Sequence, residues 1–482
     1  MSEQKSFKQS LGLVDATMIV AGSMIGSGIF IVSSEITRNV GSAGWMIAVW
    51  VITGFMTISA ALSYGELSSM YPKAGGQYVY LREAYNPMFG FLYGWSFFAV
   101  IQTATIAAVA VAFARFTAYI IPGVGEDNIL WQFQTGTSKE GVPLYFRLNA
   151  AQLLGIASIL FLTFTNTKGV KGGKIIQTTF TTAKLLALFG LIILGFLLAK
   201  ENFWEQNWST GFNAQQNLDG SGWVGIEGLV LAGAVSVAMV GSIFSSDAWN
   251  NVTFIAAEIK NPKRNIGLSL FLGTLIVTII YVAANLMYLY VLPLSEGANS
   301  IAFAKNDRVG VAAAEQFLGD NGSLVIAVLI MVSTFGCNNG LILAGARVYY
   351  TMAKDGLFFK KTGTLNKHSV PAYALWIQAV VASILCLSGR YGDLLTMISF
   401  VVVIFYVLTL AGIFILRKKY PDAERPYRAF GYPVLPIIYI LLAVAFCAGL
   451  LWKSTEYSLY GLIIVLIGIP LYYIALSRKK EA

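Results

Sequence analysis

A single histidine and three cysteines in 482 residues leave almost nothing from which to build a thiolate or imidazole metal centre. The cysteines, Cys337, Cys386 and Cys447, all fall inside apolar runs, without the spacing of a disulfide framework or a metal site. The histidine, His368, lies in a polar stretch, where a solvated side chain is the plain expectation. Charge is scarce as well: only 12% of residues are Asp, Glu, Lys or Arg, against roughly 25% in a soluble globular domain. Long polar stretches are also missing, the longest being 122–147, 199–222, 293–322 and 347–370, so no soluble domain is expected. An enzyme is disfavoured because no grouping of nucleophile, base and metal is visible. No metal or cofactor is expected.

What fills the chain is apolar: 56% of residues are hydrophobic and the mean hydropathy is +0.67. About 12 runs have the length a bilayer core demands of a helix, roughly 20 residues. They centre near Ala21, Ile58, Ala104, Ile156, Leu188, Val237, Ile276, Ile330, Val380, Val403, Ala443 and Val465. The expected fold is therefore an all-α polytopic membrane protein of 12 transmembrane helices, embedded in the lipid bilayer of the cell (plasma or inner) membrane. A short polar head with Lys5 and Lys8 precedes the first run, and no small-residue cleavage site precedes the next helix, so the first run is expected to be retained. The net charge of +9 would suit nucleic acid, but its distribution decides otherwise. With the N-terminus in the cytoplasm, alternate loops hold roughly 23 of the 33 Lys and Arg and the opposite loops roughly 9. The excess is a topology signal: both termini are expected inside, and no nucleic-acid partner is implied.

Two runs are interrupted. The first contains AGSMIGSGIF from Ala21 to Phe30, with three glycines and two serines at its centre. Glycine costs roughly 1 kcal/mol relative to alanine inside a helix, and lipid cannot satisfy the N–H groups that an unwound turn frees. Close helix packing through Gly22 and Gly26 is one reading; an unwound turn lining a cavity is the other. The sixth run, Val224 to Ala257, decides between them. It is interrupted by SSDAWNN, with Ser245, Ser246, Asp247, Asn250 and Asn251 where the bilayer centre should fall. Ending that helix at Phe244 would leave a remainder too short to span and would invert every later helix, against the positive-inside distribution. Two discontinuous helices in corresponding positions imply two five-helix repeats of opposite orientation with a site between them at mid-membrane. Half-helix N-termini attract carboxylate, and unwound carbonyls attract ammonium. A free α-amino acid carries both charges a bond or two apart.

The fifth run carries one charge, Lys184, about ten residues or roughly 15 Å from Lys174. Snorkelling serves lysines near helix ends. At mid-span a lysine costs at least roughly 2.5 kcal/mol, so it should face a partner or water. Asn338 and Asn339, in the eighth run, are each expected to bond to a neighbour. Between the second and third runs, Pro72, Gly75 and Gly76 stop a helix, Tyr78 and Tyr80 suit a membrane interface, and Pro87 starts the next helix.

As a pattern, GSMIGSGIF followed by YGELSSMYPKAGGQYVYL and FGFLYGW resembles the amino acid, polyamine and organocation transporter superfamily, and most of all its L-type amino acid transporters and their bacterial relatives. The likeness continues through QTTFTTAKLLAL, FSSDAWNNVTFIAAEIKNPKRNI, FGCNNG, ARVYYTMAKDGLF and RPYRAFGYPVLP, from residue 12 to about 440. It implies one transmembrane permease domain over residues 1–482, of LeuT-like 5+5 inverted-repeat architecture. Repeat one runs over 11–200, repeat two over 223–417, and helices eleven and twelve over 434–477. It further implies a sodium-independent carrier that exchanges neutral amino acids by alternating access. Substrate would be held by Ser23, Met24, Ile25, Gly26, Ser27, Gly28, Phe244, Ser245, Ser246, Asp247 and Asn250. Free N–H groups at 26–28 would take the carboxylate, carbonyls near Met24, Phe244 and Asp247 the amino group, and Phe244 would close over the substrate from outside. In sodium-coupled carriers of this architecture a sodium ion bridges the first helix to the opposite repeat. Lys184 could put its ammonium there instead, on carbonyls such as that of Ala21, and a desolvated lysine could also release a proton.

Two departures from the animal pattern matter. The L-type transporters of animals are tied to a heavy chain through an outside cysteine between the third and fourth helices, whereas 122–147 contains none. No disulfide-linked heavy chain is expected. SSDAW stands where those proteins often have an aromatic residue and paired glycines, which makes the site more polar and favours small neutral amino acids such as alanine, serine or threonine. Asp247 could instead attract a cationic side chain. Proton-coupled uptake of amino acids or polyamines, and an amino-acid-sensing receptor, remain the alternatives; the receptor would need an output module that the short loops do not offer.

Overall fold

The computed structural model describes residues 9–137, 143–218, 220–297, 299–388 and 391–480; Lys5 and Lys8 lie outside them. The first span is in two pieces, α1 (Leu13–Met24) and α2 (Ser33–Val40), joined through an unwound turn and a single 3-10 turn at Gly28–Phe30. Gly41, at φ 52°, closes α2 in the left-handed conformation that glycine adopts without strain. The second span, α3 (Ala43–Met70), starts on the Ser42 hydroxyl. A short α4 (Gln77–Ala84) follows, and then α5 (Pro87–Ile120), whose first N–H groups bond to Asn86 Oδ1 with Pro87 in the first helical position. Two antiparallel strands, β1 (Ile129–Thr137) and β2 (Pro143–Asn149), lead to α6 (Ala150–Thr167). Asn149 and Gln152 cap α6 reciprocally at 2.9 Å each. The fifth span is α7 (Val170–Leu198).

A second interruption follows. A helix, α8 (Gly228–Ser245), stops at a turn and continues as one short helix, α9 (Asn251–Phe254). Ala248 in that turn has φ 62°, a left-handed backbone that costs a non-glycine residue energy and marks a site where the surroundings enforce it. Then come α10 (Pro262–Val291), a kinked segment from Val309 that resumes beyond Gly319 as α11 (Gly322–Lys354), α12 (Ala372–Ser388), α13 (Tyr391–Lys419), α14 (Val434–Lys453) and α15 (Thr455–Lys480). Among the described residues ten helices are long and apolar enough to cross a membrane, with α1 and α12 as shorter apolar helices. The chain is a multi-pass membrane protein.

Packing sorts the helices into two groups. The pieces of the first span, α3, α8 and α10 pack on one another, while α5, α6, α11 and α12 form a second group. Helix α7 touches both, against α1 and α10 on one side and α11 on the other.

Tyr78 and Tyr80 are not interfacial. They sit on α4 with no measurable exposure and 1% exposure, the Tyr78 hydroxyl donating to Asp355 at 2.8 Å and the Tyr80 ring meeting Tyr64 edge-on. The short helix α4 turns both rings into the bundle instead of toward an interface. The strands β1 and β2 were also not anticipated. Their signal is the alternation of Leu130, Gln132 and Gln134 with Trp131 and Phe133, and Trp131, Phe133 and Phe146 form one aromatic cluster.

The proline-rich stretch after α13 is a latch. Buried Glu66 on α3 accepts from Arg417 at 2.7 and 3.0 Å and from the Ala429 N–H at 2.7 Å, and pairs with Arg425 at 3.4 Å. A second ion pair, Arg347 with Glu258 at 3.0 Å, is almost wholly buried. Near the N-terminus Leu11 forms an isolated β-bridge with Ile259 beside it. Cys337 and Cys386 are buried free thiols and His368 is exposed.

Candidate functional site

The two interruptions meet. In the first span the helical ladder ends with the Ile25 N–H on the Ala21 carbonyl at 2.9 Å. The carbonyls of Gly22 and Ile25 are then left without helical donors, and Lys184 supplies them. Its Nζ donates to Gly22 O at 2.5 Å and to Ile25 O at 2.7 Å. The side chain is 1% exposed. The Ala21 carbonyl, named from the sequence, is already occupied by the last helical bond, so the ammonium sits one residue further on. Three donors on one nitrogen suit this arrangement, and a buried lysine needs it.

Ser23, Met24, Ile25, Gly26, Ser27 and Gly28 are all buried. Among the described residues no backbone acceptor takes the N–H of Gly26 or Gly28. A Cβ at Gly28 would collide with the Ser245 side chain, and one at Gly26 would stand 3.2 Å from Cys337 Sγ. Close approach of backbone to neighbours is what these glycines permit. Phe244, Ser245, Ser246 and Asn250 are buried too, and Asp247 is partly so.

Not all of these side chains converge. Asp247 Oδ1 accepts from the Tyr406 hydroxyl on α13 at 2.5 Å. Asn250 donates to Gln77 Oε1 at 3.0 Å, and Gln77 donates on to Thr409 at 2.9 Å. Two cavities of about 10 and 20 Å³ flank Asp247, one lined by Gln77, Gln102, Asn250 and Tyr406 and the other by Thr53, Thr57, Ser246 and Tyr439. Each has room for about one water.

Sequence reasoning missed two residues. The Tyr281 hydroxyl on α10 is shared between Met24 O at 3.1 Å and Ser245 O at 3.0 Å, joining the two broken spans, while its ring meets Trp50 edge-on. Cys337 donates to Ser23 O at 3.2 Å. Met24 O and Phe244 O, expected to receive an amino group, each already accept one bond, from Tyr281 and from the Asp247 N–H; a carbonyl retains a second lone pair. Of the paired asparagines, Asn339 accepts from Asn166 at 2.8 Å, while Asn338 finds no partner among the described residues.

Residues 11–473 match the family model described as amino acid permease. Similar curated proteins include the human b(0,+)-type amino acid transporter 1, 28% identical over 479 residues, covering 98% of this chain and 89% of the relative. Another is the human large neutral amino acids transporter small subunit 2, 28% identical over 477 residues, covering 99% of this chain and 82% of the relative.

Proposed function

Because the chain belongs to the amino acid permease family, we propose that it is an amino acid transporter, sodium-independent, exchanging small neutral L-amino acids by alternating access. The observation that carries the sodium-independent reading is the Lys184 ammonium on the carbonyls of Gly22 and Ile25. A fixed charge there makes a diffusible cation unnecessary. The substrate carboxylate lies on the N–H groups at 26–28, and the amino group on carbonyls of Met24, Phe244 and Asp247. The side chain points toward Ser246 and Asp247.

The architecture proposed is 12 spans, with α1 and α2 as one and both termini cytoplasmic, in a LeuT-like 5+5 inverted repeat over 11–200 and 223–417. The two packing groups support it, since each takes corresponding spans from both halves. The small-subunit name of one relative speaks of a partner for that protein. Here the lack of cysteine from 122–147 supports a carrier without a disulfide-linked heavy chain; a covalent heterodimer on a non-reducing gel refutes that.

The test is uptake of a radiolabelled amino acid panel into proteoliposomes with and without internal substrate. Label entering only preloaded vesicles is the expected result. Uptake driven solely by an inward pH gradient overturns exchange in favour of proton symport. Asp247, with a carboxylate at the break, favours a second reading in which cationic side chains enter. Strong competition by arginine, but not by alanine, would establish it; strong competition by tryptophan without alanine would overturn the small neutral class.

A further inference from the structure

Away from the broken spans, the end of α5, the turn after it and the segment before α11 enclose a cavity of about 210 Å³, lined by Arg115, Glu126, Asp127, Asn306, Asp307 and Arg308. That is roughly ten to twenty times the space of the two cavities at Asp247, enough for several waters or a small amino acid. Four neighbouring charges are paired: Arg115 with Glu126 at 3.2 Å, and Asp307 with Arg38 at 2.7 Å. Two are not. Among the described residues the Arg308 guanidinium makes no ion pair or side-chain hydrogen bond, and its Nε is buried without an acceptor, with the Tyr119 ring 5.4 Å away. The Asp127 carboxylate, exposed at the rim of the cavity, also has no ion pair among the described residues. Burial and the nearby Arg115 push the Arg308 pKa down, while Tyr119, Glu126 and Asp127 act in the other direction.

A lone anion in this cavity would face three carboxylates, and a lone cation two guanidiniums. A molecule with both charges a few ångströms apart satisfies each unpaired group, and arginine holds a carboxylate through two parallel bonds. We propose that this crevice is a second binding site for a zwitterionic α-amino acid, its carboxylate on Arg308 and its ammonium on Asp127. The inference rests on the transport reading only for its ligand class.

The crevice is joined to the first span. Arg38, on α2, donates to Ala302 O at 2.7 Å as well as to Asp307, and Ser34 donates to Ile301 O at 2.7 Å. Asn306 and Asp307 are held at φ 53° and 58°. A ligand on Arg308 therefore pulls on a strained segment already tied to α2.

Equilibrium binding of radiolabelled L-alanine to the purified full chain at saturation tests this. Wild type is expected to bind two per chain, Arg308→Gln one, and Gly26→Leu one. Arg308→Lys keeps the charge and should bind two, the one in the crevice about tenfold more weakly, a difference of about 1.4 kcal/mol. One per chain in wild type and in Arg308→Gln, with none in Gly26→Leu, overturns the crevice site and leaves the central reading standing. Two in Gly26→Leu and one in Arg308→Gln does the reverse. No binding by wild type overturns both.

Discussion

Removing the Lys184 ammonium is the sharpest test of the central site. Lys184→Ala deletes two charge-assisted hydrogen bonds, to Gly22 O at 2.5 Å and Ile25 O at 2.7 Å. Each is worth about 1.5–3 kcal/mol, and two bonds from one nitrogen do not add fully, which leaves a working loss of about 3 kcal/mol. The loss falls on conformations in which α1 rests on α7. If transport passes through them, about 3 kcal/mol corresponds to a rate about 100-fold lower. The assay is exchange of labelled alanine in proteoliposomes, with sodium or choline outside, beside size-exclusion profiles that report folding. Wild type should ignore the change of cation. Lys184→Met, which fills the space without the charge, should fail like Lys184→Ala. Wild-type rates in either variant, or a wild type that stops without sodium, would refute the reasoning and leave Lys184 as a packing residue.

Gly26→Leu should abolish substrate binding, because its side chain meets Cys337 at once; normal affinity in the variant, or equal affinity for an amino acid amide, sinks the carboxylate assignment. Tyr281→Phe keeps the ring against Trp50 but loses the hydroxyl between Met24 and Ser245, and binding should weaken about tenfold, about 1.4 kcal/mol. Unchanged affinity and rate in that variant would show that the hydroxyl does not couple the two breaks. Glu66→Gln leaves Arg417 and Arg425 without their carboxylate and should cost about 2–3 kcal/mol, read as a lower unfolding midpoint; an unaltered midpoint removes the latch from the stability argument.

The breaks themselves were legible because glycines and serines in one span, and a carboxylate with two asparagines in another, cannot be placed in lipid without a reason. Lys184 was legible for the same cause. Which carbonyls it reaches was not, since that depends on where the last helical bond closes, and the Ile25 N–H takes Ala21 O rather than leaving it open. Tyr281 was hidden among 24 tyrosines, its meaning resting on a contact 257 residues away. Tyr78 and Tyr80 misled because a tyrosine beside prolines and glycines looks interfacial until a helix turns it into the bundle. The pairing of Glu66 with Arg417 and Arg425 spans the chain, and nothing local announces it.

The Lys184 contact has an electrical consequence. A bound sodium ion leaves on one side of a membrane and carries its charge across, so the membrane voltage does work on the cycle, about 2.3 kcal/mol per charge per 100 mV. Lys184 is part of the chain and never leaves. A zwitterionic substrate adds no net charge of its own, and the ammonium on Gly22 and Ile25 goes nowhere that its carrier does not. On the proposed reading, voltage neither drives nor brakes this exchange. The carrier then trades one amino acid pool for another, and the only force available to it is the gradient of what it trades.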